Sequence, residues 1–127
     1  MLEDTTAIVT GGSTGIGKAI ATTYLEQGAD VVIANRSGDG GRQTAEELSC
    51  DFQECDVSDP GQVERLVEKT VENFGQLDVM VNNAGIGRQG SITDMTLEDW
   101  DDVMQTNLKG VMYGTRYALP HLLESEG

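Results

Sequence analysis

The sequence predicts a doubly wound α/β fold, a parallel sheet with helices on both faces. Short β-branched apolar runs alternate with helical patterns along the whole chain. The first run, Ala7-Ile8-Val9-Thr10, ends in a cluster of glycines with a helical pattern immediately behind it. The last run ends in Asn82-Asn83-Ala84-Gly85. Right-handed crossovers put the strands in the order 3-2-1-4, so both unusual strand ends fall where the order reverses, which is where such sheets bind ligands.

Thr5 to Thr10 reads as a buried strand, since a continuous apolar run suits a strand covered on both faces. A helix follows over Lys18 to Gln27, with Ile16, Ala19, Ile20, Ala21 and Leu25 as its apolar residues and Gly28 in the C-cap glycine position. Val31-Val32-Ile33-Ala34 is the second strand. Ser37-Gly38-Asp39-Gly40-Gly41 then loosens the chain before a weaker helix over about Gln43 to Leu48, and Phe52 to Val57 reads as a poorer third strand.

Asp59 as N-cap and Pro60 in the first turn mark the next helix. Val63, Leu66, Val67, Val71 and Phe74 form its apolar face, and Gly75 ends it. Leu77 to Val81 is the fourth strand. A glycine-bearing loop, Ile86 to Asp94, leads to Thr96, which with Asp99 resembles a capping box. The helix from Leu97 carries Trp100, Val103, Met104, Leu108, Val111, Met112 and Leu119 before Pro120 disturbs it. Gly110 and Gly114 on that helix permit close helix packing.

A chain of 127 residues holds one domain with a real core. Its start, Met1-Leu2-Glu3-Asp4, lacks the basic and apolar parts of a signal peptide, and no apolar run approaches a membrane span; a soluble, cytoplasmic protein is expected. The formal charge of −14 argues against DNA or RNA as partner. The acids are scattered through a periodic sequence, which points to a surface adapted to high salt rather than to a disordered tail. Cys50 and Cys55 lie at an odd spacing in one strand-like segment, so they should face opposite sides and form no disulfide. With His121 the single histidine, no metal site is expected.

The glycine loop alone reads either as a phosphate cradle or as a mere turn. Its pairing with Asn82 to Gly85 at the reversal favours the cradle, where the first turn of a helix offers unpaired N–H groups and a positive dipole end to an anion.

Thr10-Gly11-x-x-x-Gly15-x-Gly17 resembles the T-G-x-x-x-G-x-G motif of the short-chain dehydrogenase/reductase family. Asn82-Asn83-Ala84-Gly85 is similar to that family's N-N-A-G, Asp56-Val57 to its adenine-side Asp, and Asn107 to its helix-borne catalytic Asn. The resemblance covers about Thr5 to Leu123 and implies a Rossmann-like domain that binds NAD(P). It assigns Gly11, Ser13, Thr14, Gly15, Ile16 and Gly17 to the pyrophosphate and ribose. Asp56 and Val57 go to the adenine, and Asn83, Ala84 and Gly85 to the adenosine and ribose side. Asn107 would help hold a water in the proton relay. Read alone, Asp56 is better taken as a residue of the helix start, Asn82 and Asn83 as a polar strand end, and Asn107 as a buried amide near the apolar stripe that bonds neighbouring backbone; in context the functional reading leads for Asp56, Asn82 and Asn83.

An NAD enzyme usually carries an acid at the end of the second strand to accept from the ribose 2′-OH. Asn35 stands there, and Arg36 follows. A guanidinium holds a 2′-phosphate through charge-assisted bonds of roughly 1.5–3 kcal/mol. NADP(H) is therefore preferred, with NAD(H) as the other possibility; the alternative for Arg36 is a surface pair with one of the many acids.

The family's chemistry is hydride transfer between a nicotinamide and a carbonyl or alcohol carbon, with a Tyr-x-x-x-Lys pair and a Ser. No Tyr-x-x-x-Lys occurs: Tyr24 is followed at that spacing by Gly28, Tyr113 by Tyr117 and Tyr117 by His121. The expectation is that residues 1–127 are the N-terminal, cofactor-binding portion of one Rossmann-type domain, stopping before a fifth strand and inactive alone. Such a portion would leave the fourth strand as an edge and need self-association, a missing half or cofactor to stay soluble. The family likeness extends to homo-oligomer formation through the Trp100 to Leu119 helix. The alternative is a non-catalytic dinucleotide-binding module; an extended-type epimerase relative ranks lower, because its T-G-x-x-G-x-x-G spacing is not met.

Overall fold

Every residue of β1 (Thr6–Thr10) is buried, as befits the middle of a parallel sheet covered on both faces. β1 pairs in parallel with β2 (Asp30–Asn35), from Thr6 opposite Asp30 to Thr10 opposite Ala34, and on its other side with β4 (Val79–Val81), Ile8 opposite Met80. β3 (Asp51–Glu54) adds to β2, and the order is β3-β2-β1-β4, as the sequence predicts. The computed structural model describes residues 1–36, 38–85 and 93–127, with Asp39 as backbone alone.

Successive strand residues point to opposite faces, and two apolar clusters follow from that. Ile8, Val32 and Ala34 pack with Val63, Leu66 and Val67 of α3 (Pro60–Phe74) and Ala118 of α5 (Gly110–Ser125). Val9, Val31 and Ile33 face Ala21, Ile20, Tyr24 and Leu25 of α1 (Gly15–Glu26) and Leu48 of α2 (Gly38–Leu48). The starts and stops read from sequence are present as bonds. Asp59 Oδ1 accepts from Gly61 N at 2.9 Å and Gln62 N at 3.4 Å. Thr96 and Asp99 form a reciprocal capping box on α4 (Leu97–Met104). Gly28 and Gly75 take left-handed φ of 93° and 84°.

Several boundaries differ from expectation. α2 begins at Gly38, through the stretch that reads as loosened chain. A Cβ on Gly41 would overlap the Phe52 ring, so the glycine lets α2 lie directly on β3, where the Arg42 guanidinium sits 5.7 Å from the ring centre. β3 stops at Glu54, and β4 is shorter than Leu77 to Val81 at its start. Cys50 and Cys55 thus flank β3 rather than lie within it, but they do join opposite clusters, and both are free thiols. Ile16, assigned to the apolar residues of the first helix, is 74% exposed.

Pro120 does not end the last helix, which continues to Ser125; Pro120 is exposed, so the carbonyl left without an N–H partner faces solvent. The interruption comes earlier, as one π-helical turn over Gln105–Lys109 between α4 and α5. Beyond it the buried positions are Gly110, Gly114 and Ala118, not the large apolar residues. A Cβ on Gly110 would lie 2.8 Å from Val57 Cγ2, and one on Gly114 would overlap the Asn82 side chain, so these glycines bring the helix against the segments beyond β3 and β4 rather than against another helix. Trp100, Leu108, Met112, Leu119 and Leu123 are exposed. Among the described residues β4 pairs only with β1, and all of it is half-buried. No helix among the described residues is long and apolar enough to cross a membrane. The Ile86 to Asp94 loop lies outside the described residues as far as Ile92.

Candidate functional site

The ends of all four strands converge on one cavity of about 470 Å³ at the carboxyl edge of the sheet. The β1–α1 turn contributes Gly11, Thr14, Gly15 and Ile16, and the end of β2 contributes Ala34, Asn35 and Arg36. Cys55, Asp56 and Val57 enter from beyond β3, Asn83, Ala84 and Gly85 from beyond β4, and Thr106 from the π turn. A volume of this size suits a cofactor-sized ligand.

The glycine turn is shaped by close approach. Gly11 and Gly15 have φ of 66° and 56°, where a side chain would be strained. A Cβ on Gly17 would overlap the Gly11 carbonyl and lie 2.6 Å from Asn83 Nδ2. Asn83 closes the contact from the other side, its Nδ2 donating to Gly11 O at 3.2 Å. Gly17 and Ser13 do not line the cavity. Ser13 lies behind the turn, where its hydroxyl accepts from Asn35 Nδ2 and its carbonyl accepts from Thr44 Oγ1 at 3.0 Å.

The N-terminus of α1 differs from those of α3 and α4. Thr14, its N-cap, makes no side-chain cap bond, and no acid stands in its first turn. α3 and α4 are both capped by side chains. The first N–H groups of α1 are therefore left for an anion, with the positive end of the helix dipole behind them. Exposed Ile16 on that turn offers an apolar contact beside them.

Asp56 is both things its sequence position allows. Its Oδ1 accepts from Ser58 N at 3.0 Å and Ser58 Oγ at 2.6 Å, and its N–H donates to Gln62 Oε1 at 2.9 Å, so it helps start α3. It also lines the cavity, with no described group on Oδ2. The Gln62 amide, donating to Asp59 Oδ2 at 3.1 Å, holds the Asp59 carboxyl below its ordinary range.

At the end of β2, Asn35 Oδ1 is buried with no hydrogen-bond donor among the described residues. Arg36 is exposed, and no carboxylate among the described residues stands within ion-pair distance of it. The surface-pair alternative for Arg36 is thus not realised among them. Asn107 departs from its expected setting. It is exposed rather than buried, because the extra residue of the π turn rotates the helix face by about 100°. It does not line the cavity, but its Oδ1 would lie 3.1 Å from a Cβ on Gly85.

Several residues at the site carry little or no signal of their role in the sequence. Thr10 belongs to the motif, yet its role is structural: Oγ1 accepts from Asn83 N and Ala84 N, each at 3.0 Å, and donates to Val81 O at 3.2 Å. Ala34, Cys55 and Thr106 reach the cavity only through packing, and no sequence signal marks them. Burial, with the charges of Asp56 and Asp59 adding to it, pushes the Cys55 thiol up to about 11, so it is a wall and not a nucleophile.

A doubly wound sheet with an uncapped glycine turn at its reversal is the arrangement in which α/β proteins of this class place a ligand site. The chain belongs to the short chain dehydrogenase family, whose model matches residues 5–127. It is 39% identical over 127 residues to an uncharacterized oxidoreductase of Staphylococcus aureus strain MRSA252, covering 98% of this chain and 55% of that protein. It is 40% identical over 125 residues to the NADP-dependent (R)-specific alcohol dehydrogenase of Lentilactobacillus kefiri, covering 95% and 50%. A short chain dehydrogenase from Mycobacterium smegmatis superposes with a TM-score of 0.90 at 39% identity, over 94% of this chain and 53% of that one. The chain spans about half the length of these relatives.

Proposed function

We propose that the chain binds NADP(H) and supplies the cofactor-binding half of an oxidoreductase that moves hydride between the nicotinamide and a small carbonyl or alcohol substrate. The observation that carries this reading is the uncapped start of α1 opening on the same cavity as Arg36, whose guanidinium has no ion-pair partner among the described residues. The bound cofactor would supply the hydride. The chain's own residues would hold and orient it: the first turn of α1 at the pyrophosphate, Asp56 and Val57 at the adenine, Asn83 to Gly85 along the adenosine and ribose. The orphaned Asn35 Oδ1 fits a ribose hydroxyl as donor. The 40% identity to a dehydrogenase named NADP-dependent supports the same preference.

Exchanging Asn35 for Asp and Arg36 for Gln tests it in a binding titration. The pair removes the phosphate's cation and adds an acceptor for a 2′-OH, so preference should turn towards NAD(H). An unchanged preference would refute the role.

Asn107, beside Gly85, is assigned to holding a water near the reacting end. No tyrosine lines the cavity, and Tyr113 and Tyr117 pack against the α3 side of the core. That favours, as the second reading, a dinucleotide-binding module without chemistry of its own. Trp100, Leu108, Met112 and Leu119, exposed along one helical run, support homo-oligomer formation through that run. A monomer by light scattering at high concentration would count against it. The charge of −14 supports a cytoplasmic protein that avoids nucleic acids and keeps its stability in concentrated salt. A melting temperature that fails to rise between dilute and molar KCl would remove the salt adaptation.

A further inference from the structure

A second cavity of about 440 Å³ adjoins the first and shares Arg36 and Asp56 with it. Its remaining walls are Gln53 and Glu54 of β3 and Gln62 and Arg65 of α3. We infer that Arg65 is a second specificity-determining residue, closing with Arg36 on the 2′-phosphate of the adenosine ribose; this rests on the NADP(H) reading above.

The placement of charge leads to this assignment. The chain has only five arginines against 22 acids. Three of the five gather round the ends of β2 and β3: Arg36 and Arg65 in the cavity wall, and Arg42 over Phe52. Arg65 folds back along α3, its Nη1 lying 3.5 Å from where a Cβ on Gly61 would stand. It makes no ion pair within 4 Å among the described residues. The backbone at the start of α3 does not compete as an anion site, because Asp59 already accepts from Gly61 N and Gln62 N.

The acids facing the cavity are Glu54 and Asp56. Asp56 is engaged by Ser58. Glu54 Oε2 would lie 3.2 Å, and Arg42 Nε 3.9 Å, from a Cβ on Gly38, so both side chains reach the start of α2, without an ion pair within 4 Å between them among the described residues. A dianionic phosphomonoester between Arg36 and Arg65 meets two planar donors able to bind its oxygens bidentately.

Calorimetric titration with adenosine 2′,5′-bisphosphate and with adenosine 5′-monophosphate isolates the 2′-phosphate from the rest of the cofactor. The ratio of the two dissociation constants is the readout, for the unaltered chain, Arg65→Gln, Arg65→Lys and Arg36→Gln. Arg65→Gln should cut the preference for the bisphosphate by about tenfold, the loss of one charge-assisted contact, and Arg65→Lys by less. Arg65 is exposed, so the variants should fold, and their circular dichroism should match the unaltered chain. If Arg65→Gln leaves the ratio unchanged, or weakens both ligands equally, while Arg36→Gln collapses it, Arg65 has no part in recognition and the NADP(H) reading stands. If the unaltered chain shows no preference for the bisphosphate, both ideas fail.

Discussion

Thr10 and Asn83 are joined across the reversal in strand order: the Asn83 N–H donates to Thr10 Oγ1 at 3.0 Å. The same hydroxyl accepts from Ala84 N and donates to Val81 O, so all its bonding capacity is used. One side chain at the end of β1 thereby fixes the loop beyond β4, and the Asn83 amide returns the tie by donating to Gly11 O. These two of the segments that line the cavity are set by each other.

Thr10→Val keeps the shape and removes the hydroxyl, leaving the N–H groups of Asn83 and Ala84 without their acceptor. The expected cost is about 1–3 kcal/mol, read as a lower denaturation midpoint at unchanged slope, with Thr10→Ser recovering most of it. An unshifted midpoint for the valine variant would show that the tie does not hold the loops.

The strand order and the converging loops were legible because they follow from period, handedness and glycine placement alone. The early start of α2 was not legible. Gly38, Gly40 and Gly41 look like chain breakers until the Phe52 ring is seen where a Cβ of Gly41 would stand. The π turn at Gln105–Lys109 was also hidden, since the apolar spacing of Trp100 to Leu119 reads as one continuous helix. That turn decides that Thr106, and not Asn107, faces the cavity.

Gly41→Ala should destabilise the fold by about 1–3 kcal/mol, the usual cost of forcing extra volume into a packed contact. Phe52→Leu combined with it should recover part of that loss by making room. If the alanine variant melts with the unaltered chain, α2 does not rest on Phe52 as closely as described.

Burial, reinforced by Asp51, pushes the Cys50 thiol from an ordinary 9.0 up to about 11, and burial also raises Cys55 to about 11. Folded pKa values above the unfolded ones give a contribution to stability that is complete below pH 9.0 and lost as pH rises towards 11. Alkylation by iodoacetamide at pH 8 should be slower in the native chain than in urea by about two orders of magnitude. Rapid native labelling of Cys55, located by peptide mass, would contradict its place in the core.

We propose that the cavity at the start of α1 takes a cofactor bearing a 2′-phosphate. Titrating the chain with NADP⁺ and with NAD⁺ in the same buffer tests it most directly. NADP⁺ should bind saturably and at least about tenfold tighter than NAD⁺, the difference being carried by charge-assisted contacts to the phosphate. Equal affinity for the two, or binding of neither, would contradict it.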